Sequence, residues 1–254
     1  MRLLVFTGVL GGLALAETLW PRRARAMRRG QRWPHNLSLV GAGTVAVRAL
    51  APAGVVTAAV LAERRGWGLL RHVGAPSPLS WAVTILALDL AVYTQHVAMH
   101  KVPWLWRLHR VHHADVDVDV TTGVRFHPIE FLLSFGVKGG TTALIGAPAG
   151  AVLLFEVLLN ATAMFTHANV RLPALVDRGV RMLVVTPDMH RVHHSLDRRE
   201  ADSNYGFNLP WWDRVFGTYR PEPLRPHESM SLGVTSFRGA DDQRIDKLLV
   251  QPFR

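Results

Sequence analysis

Between Asp89 and His113 the sequence reads DLAVYTQHVAMHKVPWLWRLHRVHH, and five imidazoles in it stand at helical spacings. His96 and His100 are four residues apart, about 40° apart on a helix, so both can reach one metal ion. His109, His112 and His113 follow at i, i+3 and i+4, and the same string, HRVHH, returns at His190, His193 and His194. A divalent transition metal takes neutral nitrogen donors at roughly 2.0–2.2 Å, and imidazole suits iron, zinc, copper and nickel. Eight clustered imidazoles exceed the roughly four to six positions around one ion. The pattern predicts two neighbouring metals, with each HRVHH acting as a tripod of donors.

Such donors need rigid elements behind them, and the composition says what kind. Of 254 residues, 49% are hydrophobic and mean hydropathy is +0.14, with the apolar residues gathered in blocks. The chain therefore reads as an integral membrane protein, an all-α helical bundle of about three spans plus a helical hairpin, with a cytosolic helical cap carrying the histidines. Leu3 to Trp20 can cross a hydrocarbon core of about 30 Å with only Glu17 against it. A cleaved signal peptide is disfavoured, because the run feeds into arginines rather than a small-residue cleavage site. The dense group Arg22, Arg23, Arg25, Arg28, Arg29 and Arg32 assigns the next loop to the cytoplasm. Leu37 to Ala62 is expected as the second span, with Arg48 inside it facing protein or snorkelling to the interface. Glu63 to Pro78 then falls outside, although its arginines fit that side poorly.

Leu79 to about His96 forms the third span and returns the chain to the cytoplasm where the histidines begin. Asp89 lies on its polar face, either orienting an imidazole or pairing with Arg48. Phe131 to Phe165, broken by Gly146, Ala147 and Pro148, is expected as a hairpin that returns to the same face. That return brings the cluster at 190–194 to the cluster at 96–113. From Val170 onward the chain is polar and proline-punctuated, a cap over the helix ends. The organisation is one membrane domain: an N-terminal transmembrane hairpin with its basic loop over 1–78, a core over 79–219 and a loop-rich tail over 220–254.

Lysine and arginine exceed aspartate and glutamate by 29 to 19, a net charge of +10. The arginines flank apolar spans and form no recognition face, so membrane phosphates are the expected partners and nucleic acid is not. With no cysteine, thiolate metal sites, iron–sulfur clusters and c-type haem attachment are excluded.

The ordered motifs HVAMH, HRVHH, RFHPIE, THANV and TPDMHRVHHS, followed by DSNYGFNLPWWDRVFGTY, resemble those of the fatty acid hydroxylase and sterol desaturase superfamily over roughly Leu79 to Tyr219. The resemblance implies a membrane-embedded non-haem oxygenase with two iron ions, for which zinc can substitute in a purified sample. His96, His100, His109, His112, His113, His190, His193 and His194 match its ligand motifs, and His167 in FTHANV matches a ninth. Many members carry a further histidine where this chain has Ala163. His127 in RFHPIE is one candidate to fill that gap, and Asn160, seven residues before His167, is another. Glu156 and Asn204 stand where they either support a ligand or simply pair or cap.

Such an enzyme hydroxylates or desaturates a C–H bond of a lipid, of sterol, fatty acyl or carotenoid type, with dioxygen and external electrons. The chain has no cofactor fingerprint of its own, so a separate donor is expected, a ferredoxin or a b-type cytochrome with its reductase. Arg198 and Arg199 beside the last cluster are candidates to dock it. Two rivals come from other classes. A zinc-dependent membrane hydrolase would want HEXXH, but Val97 follows His96 and no glutamate adjoins either tripod. A haem or metal-transport protein would place its ligands near the bilayer midplane, whereas these clusters lie past the span ends.

Overall fold

The computed structural model describes residues 2–52 and 54–254. Every regular element among them is helical, joined by two isolated antiparallel bridges, Pro21 with Val170 and Ser195 with Leu232. Helices α1 (Arg2–Leu19), α2 (Arg29–Leu50), α3 (Gly54–Arg65), α4 (Leu69–His72) and α5 (Ser77–Lys101) lead to α6 (Pro103–His113), which carries the first HRVHH. The pair α7 (Pro128–Ile145) and α8 (Ala149–His167) follows. Short helices α9 (Ala174–Val180), α10 (Pro187–His193), α11 (Arg198–Ala201), α12 (Trp211–Val215) and α13 (Ile245–Val250) build the cap. Four stretches are long and apolar enough to cross a membrane: Arg2–Leu19, Arg29–His72, Ser77–Lys101 and Ala149–His167. The protein is a membrane helical bundle.

The expected second span, Leu37 to Ala62, is two helices. Pro52 has no N–H to donate and disfavours α backbone at Ala51, whose φ and ψ are −140° and 61°. The chain breaks there, and α2 and α3 pack separately along α7. The hairpin at 146–148 forms as expected: α7 ends on Gly146 in the left-handed conformation, φ 68°. Gly68 comes so close that a Cβ there would lie 2.1 Å from the Gly146 nitrogen, which only glycine permits.

Between α3, α5 and α8 the core is Val55, Ala59, Leu88, Val92, Val152 and Phe155, all buried. Leu88 and Val92 are i, i+4 on one face of α5 and continue toward His96 and His100. The apolar packing that fixes α5 thus also aims its two imidazoles.

Charged residues tie the cap to the bundle. Glu17, the one acid in α1, is fully buried and accepts backbone N–H groups of Val120 at 2.7 Å and Asn169 at 2.9 Å, with Arg29 at 2.9 Å. Arg32 is equally buried and meets Asp115 through two nitrogens at 2.6 Å and Asp119 at 2.7 Å. Arg22 reaches Asp188 at 3.0 Å, and Arg23 donates to the carbonyls of His227 and Met230. The arginine-rich loop and both HRVHH segments therefore lie at one end of the bundle, and the loop is a structural cradle as well as a topology signal. The last residues also join it: Arg125 Nη1 donates to Gln243 at 2.7 Å and Arg107 Nε to the Pro252 carbonyl at 2.6 Å.

Candidate metal centre

Nine histidines converge beneath the cap, in two groups. His96, His100, His109, His113 and His193 form one; His112, His167, His190 and His194 form the other. Within each group the nearest donor atoms lie within 4.8 Å of one another, and all nine rings are buried. Early and late clusters do meet, and His167 joins them, but each HRVHH is divided between the two groups. On α6, His109 and His113 face one group while His112 faces the other; at the end of α10, His190 and the capping His194 share a group and His193 crosses over. The helical wheel explains it: positions i and i+4 differ by about 40°, whereas i+3 and i+4 differ by about 100°.

Hydrogen bonds on the outer edge of the rings decide which nitrogen points inward. Nδ1 of His96 donates to the Tyr205 carbonyl at 2.7 Å, that of His109 to Glu130 Oε1 at 2.8 Å, that of His167 to the Ala163 carbonyl at 2.6 Å, and that of His193 to the Ser203 carbonyl at 2.7 Å. A neutral ring that donates from Nδ1 has a lone pair on Nε2. His96 and His109 therefore turn two lone pairs toward each other at 3.1 Å, which repels unless a cation lies between. The same spacing, 3.0–3.1 Å, separates Nε2 of His167 from those of His112, His190 and His194, and His100 from His113. Two nitrogens bound to one ion at about 2.1 Å and at right angles stand about 3.0 Å apart, against about 3.4 Å at tetrahedral angles. His193 Nε2 is buried without a hydrogen-bond partner. The donor set of each group fits metal binding.

Burial, reinforced by neighbouring imidazoles, drives His112, His113, His190 and His194 well below the ordinary histidine range. It brings His193 down to about 3 against the pull of the Ser203 carbonyl. The cap presents neutral rings, the form that ligates metal.

His127 lies outside both groups. It caps α7, accepting Ile129 N–H on Nδ1 at 3.2 Å, and its Nε2 donates to the Leu249 carbonyl at 3.2 Å. Asn160 donates through Nδ2 to the Glu156 carbonyl of its own helix and lines the cavity that reaches His96 and His109. Asp89 orients no imidazole and does not pair with Arg48. Its carboxylate takes Asn208 Nδ2 at 2.7 Å and Trp212 Nε1 at 2.8 Å, pinning the cap to α5. Glu156 pairs with Arg2 and Lys138. Asn204 sits at φ 51° and bonds the backbone of Met189 and Arg220, bracing α10.

Glu130 was not foreseen. It is buried, and the signal for it was its place one turn after His127 in RFHPIE, at the start of a helix. The carbonyls of Ser203 and Tyr205 explain why the DSNYG stretch matters: its backbone orients His193 and His96. A cavity of about 890 Å³ opens on His96 and His109, walled by α1, α2, α5, α7 and α8 and mostly apolar.

The sequence model of the fatty acid hydroxylase family matches residues 81–218, more than half of the chain. An ornithine lipid hydroxylase, OlsE, of Rhizobium tropici is 30% identical over 178 residues, 69% of this chain and 51% of that protein. An alkylglycerol monooxygenase of Xenopus tropicalis is 32% identical over 173 residues, 67% of this chain and 38% of that protein. A cholesterol 25-hydroxylase-like protein of Danio rerio is 29% identical over 140 residues, 54% of each. The chain spans about half or less of these relatives' length, and no solved structure matches. The matched region holds all nine converging histidines, and the chain belongs to the fatty acid hydroxylase family.

Proposed function

We propose that this protein is a membrane-bound diiron oxygenase that hydroxylates or desaturates a C–H bond of a lipid, with dioxygen and electrons from a separate donor. The observation that carries the reading is the convergence of imidazole Nε2 atoms at 3.0–3.1 Å in two adjoining groups beside an apolar cavity, with the lone pairs of His96 and His109 facing each other. Relatives named as hydroxylases and monooxygenases of lipids support it. His96, His100, His109, His113 and His193 would hold one ion, and His112, His167, His190 and His194 the other.

Bound there, a redox-active metal pair would activate dioxygen, the oxidant, for attack on an unactivated C–H bond. The chain's own residues do the rest. Glu130 and the carbonyls of Tyr205, Ser203 and Ala163 hold four rings in the tautomer that ligates. Phe126 stacks on His112 at 4.4 Å between ring centroids, and with the cap it keeps water from the metal groups. The cavity receives the acyl or sterol body from the bilayer and brings it to His96 and His109.

The histidine groups and the arginine cradle lie on the cytoplasmic side in this reading, following the positive-inside rule. Lys101 at the end of α5 and Arg198 pair with Asp202, and Arg199 pairs with Asp197; the three exposed cations offer a docking place for an acidic electron donor. Metal analysis tests the central point. About two irons per chain, with oxygen-dependent loss of a lipid substrate, support the assignment; stoichiometric zinc with hydrolytic turnover, or a haem Soret band, contradicts it.

A further inference from the structure

The cavity carries charge where an apolar lipid body would not need it. Beyond its apolar middle it is lined by Arg2, Arg48, Lys138 and Glu156. Arg2 Nη2 lies 2.7 Å from one Glu156 oxygen and Lys138 Nζ bonds the other, so this group keeps one positive charge in surplus. Arg48 adds a second: it is exposed, and no carboxylate among the described residues lies within ion-pair distance of it. A cation inside a spanning helix is costly and marks a pathway or a ligand.

Depth along the helices places these cations. Lys138 is eight residues beyond Glu130, about 12 Å along α7, and Glu130 holds His109. Arg48 is sixteen residues beyond Arg32, about 24 Å along α2 from the cap end. The cavity is thus amphipathic lengthwise, with the metal groups at one end, an apolar barrel between and surplus positive charge at the other.

Resting on the oxygenase reading above, we propose that the cavity selects a long-chain lipid with an anionic end, a carboxylate or a phosphate, held by Arg48 with Arg2 and Lys138. The chain then runs back toward His96 and His109. Two consequences follow from the separation. The oxidised carbon lies far along the chain from the anionic end, and neutral lipids of the same length bind weakly.

The test uses the full chain purified in detergent and three radiolabelled probes of equal length at pH 8: hexadecanoic acid, hexadecyl phosphate and hexadecan-1-ol. The anions are expected to bind about tenfold tighter than the alcohol, as one or two charge-assisted hydrogen bonds would give. Tighter phosphate indicates a phospholipid-type substrate; tighter carboxylate indicates a free fatty acid. Arg48→Gln removes a residue with no ion-pair partner to strand, and should cost the anions about tenfold while leaving the alcohol unchanged. Glu156→Gln removes the only carboxylate of the group and should tighten the anions, opposite to what loss of a structural ion pair would do. Equal binding of all three probes, or an anion advantage untouched by Arg48→Gln, overturns the proposal.

Iron content and oxygen-dependent turnover are read on the same samples. Two irons and hydroxylation of a lipid without anion preference would defeat the cationic end and leave the oxygenase standing. Anion preference in a chain that takes no iron would do the reverse.

Discussion

Nδ1 of His109 and Oε1 of Glu130 lie 2.8 Å apart, both buried, joining α6 to the first turn of α7. The carboxylate fixes the ring's tautomer, would offset the charge of a bound metal and sits at the wall of the cavity. Glu130→Ala is expected to lower turnover and metal affinity about 10- to 100-fold, the usual cost of losing the partner behind a metal-bound imidazole. Glu130→Gln, which still accepts the Nδ1 proton, should recover part of the loss. Metal titration and turnover on both variants check this.

The crossing of each HRVHH between two groups makes metal stoichiometry informative. His193→Ala should empty the group of His96, His100, His109 and His113, and His112→Ala that of His167, His190 and His194. Each single variant is expected to keep about half the metal and no activity. Combining His112→Ala with His190→Ala should cost no further metal, because both act on one ion, whereas His112→Ala with His193→Ala should remove it all. Equal loss from every pair would mean one shared site.

His127 belongs to the helix cap, so His127→Ala should leave metal content intact. Loss of a cap costs about 1 kcal/mol, and the contact to the Leu249 carbonyl goes with it. A modest fall in thermal stability in detergent with normal iron content is the expected result.

Asp115 stands two residues past His113 and neutralises Arg32. Burial would raise its carboxyl, but the guanidiniums of Arg32 and Arg125 outweigh burial and bring it down to about 2. A carboxylate depressed in the fold adds stability above its unfolded value of about 3.9, and that stability drains away as pH falls toward the folded value. The cap is therefore expected to lose protection from proteolysis in acid below about pH 4. Asp115→Asn leaves a buried arginine short of charge and should cost about 3–5 kcal/mol at neutral pH, read as loss of folded protein on expression.

Much of this site is legible in the sequence because helical spacing carries it. His96 with His100, and each HRVHH, announce themselves through period alone, and the apolar blocks announce the bundle. Division of the tripods was legible too, in the 100° between i+3 and i+4, but only once two ions are allowed to sit on opposite flanks of one helix. Glu130, Asp89 and Asp115 were not legible in their roles. Each acts through a partner made adjacent by the fold alone: His109 is 21 residues from Glu130, Asn208 is 119 from Asp89, and Arg32 is 83 from Asp115. The break at Pro52 was signalled by the proline itself, yet the apolar run continues across it and hides the change of direction.

Anomalous diffraction at the iron absorption edge, from crystals of the protein as purified, tests the pair of metal groups most directly. Two iron peaks are expected, one among His96, His100, His109, His113 and His193 and one among His112, His167, His190 and His194. A single peak shared by both groups, or none in a protein that still turns over lipid, would contradict the account.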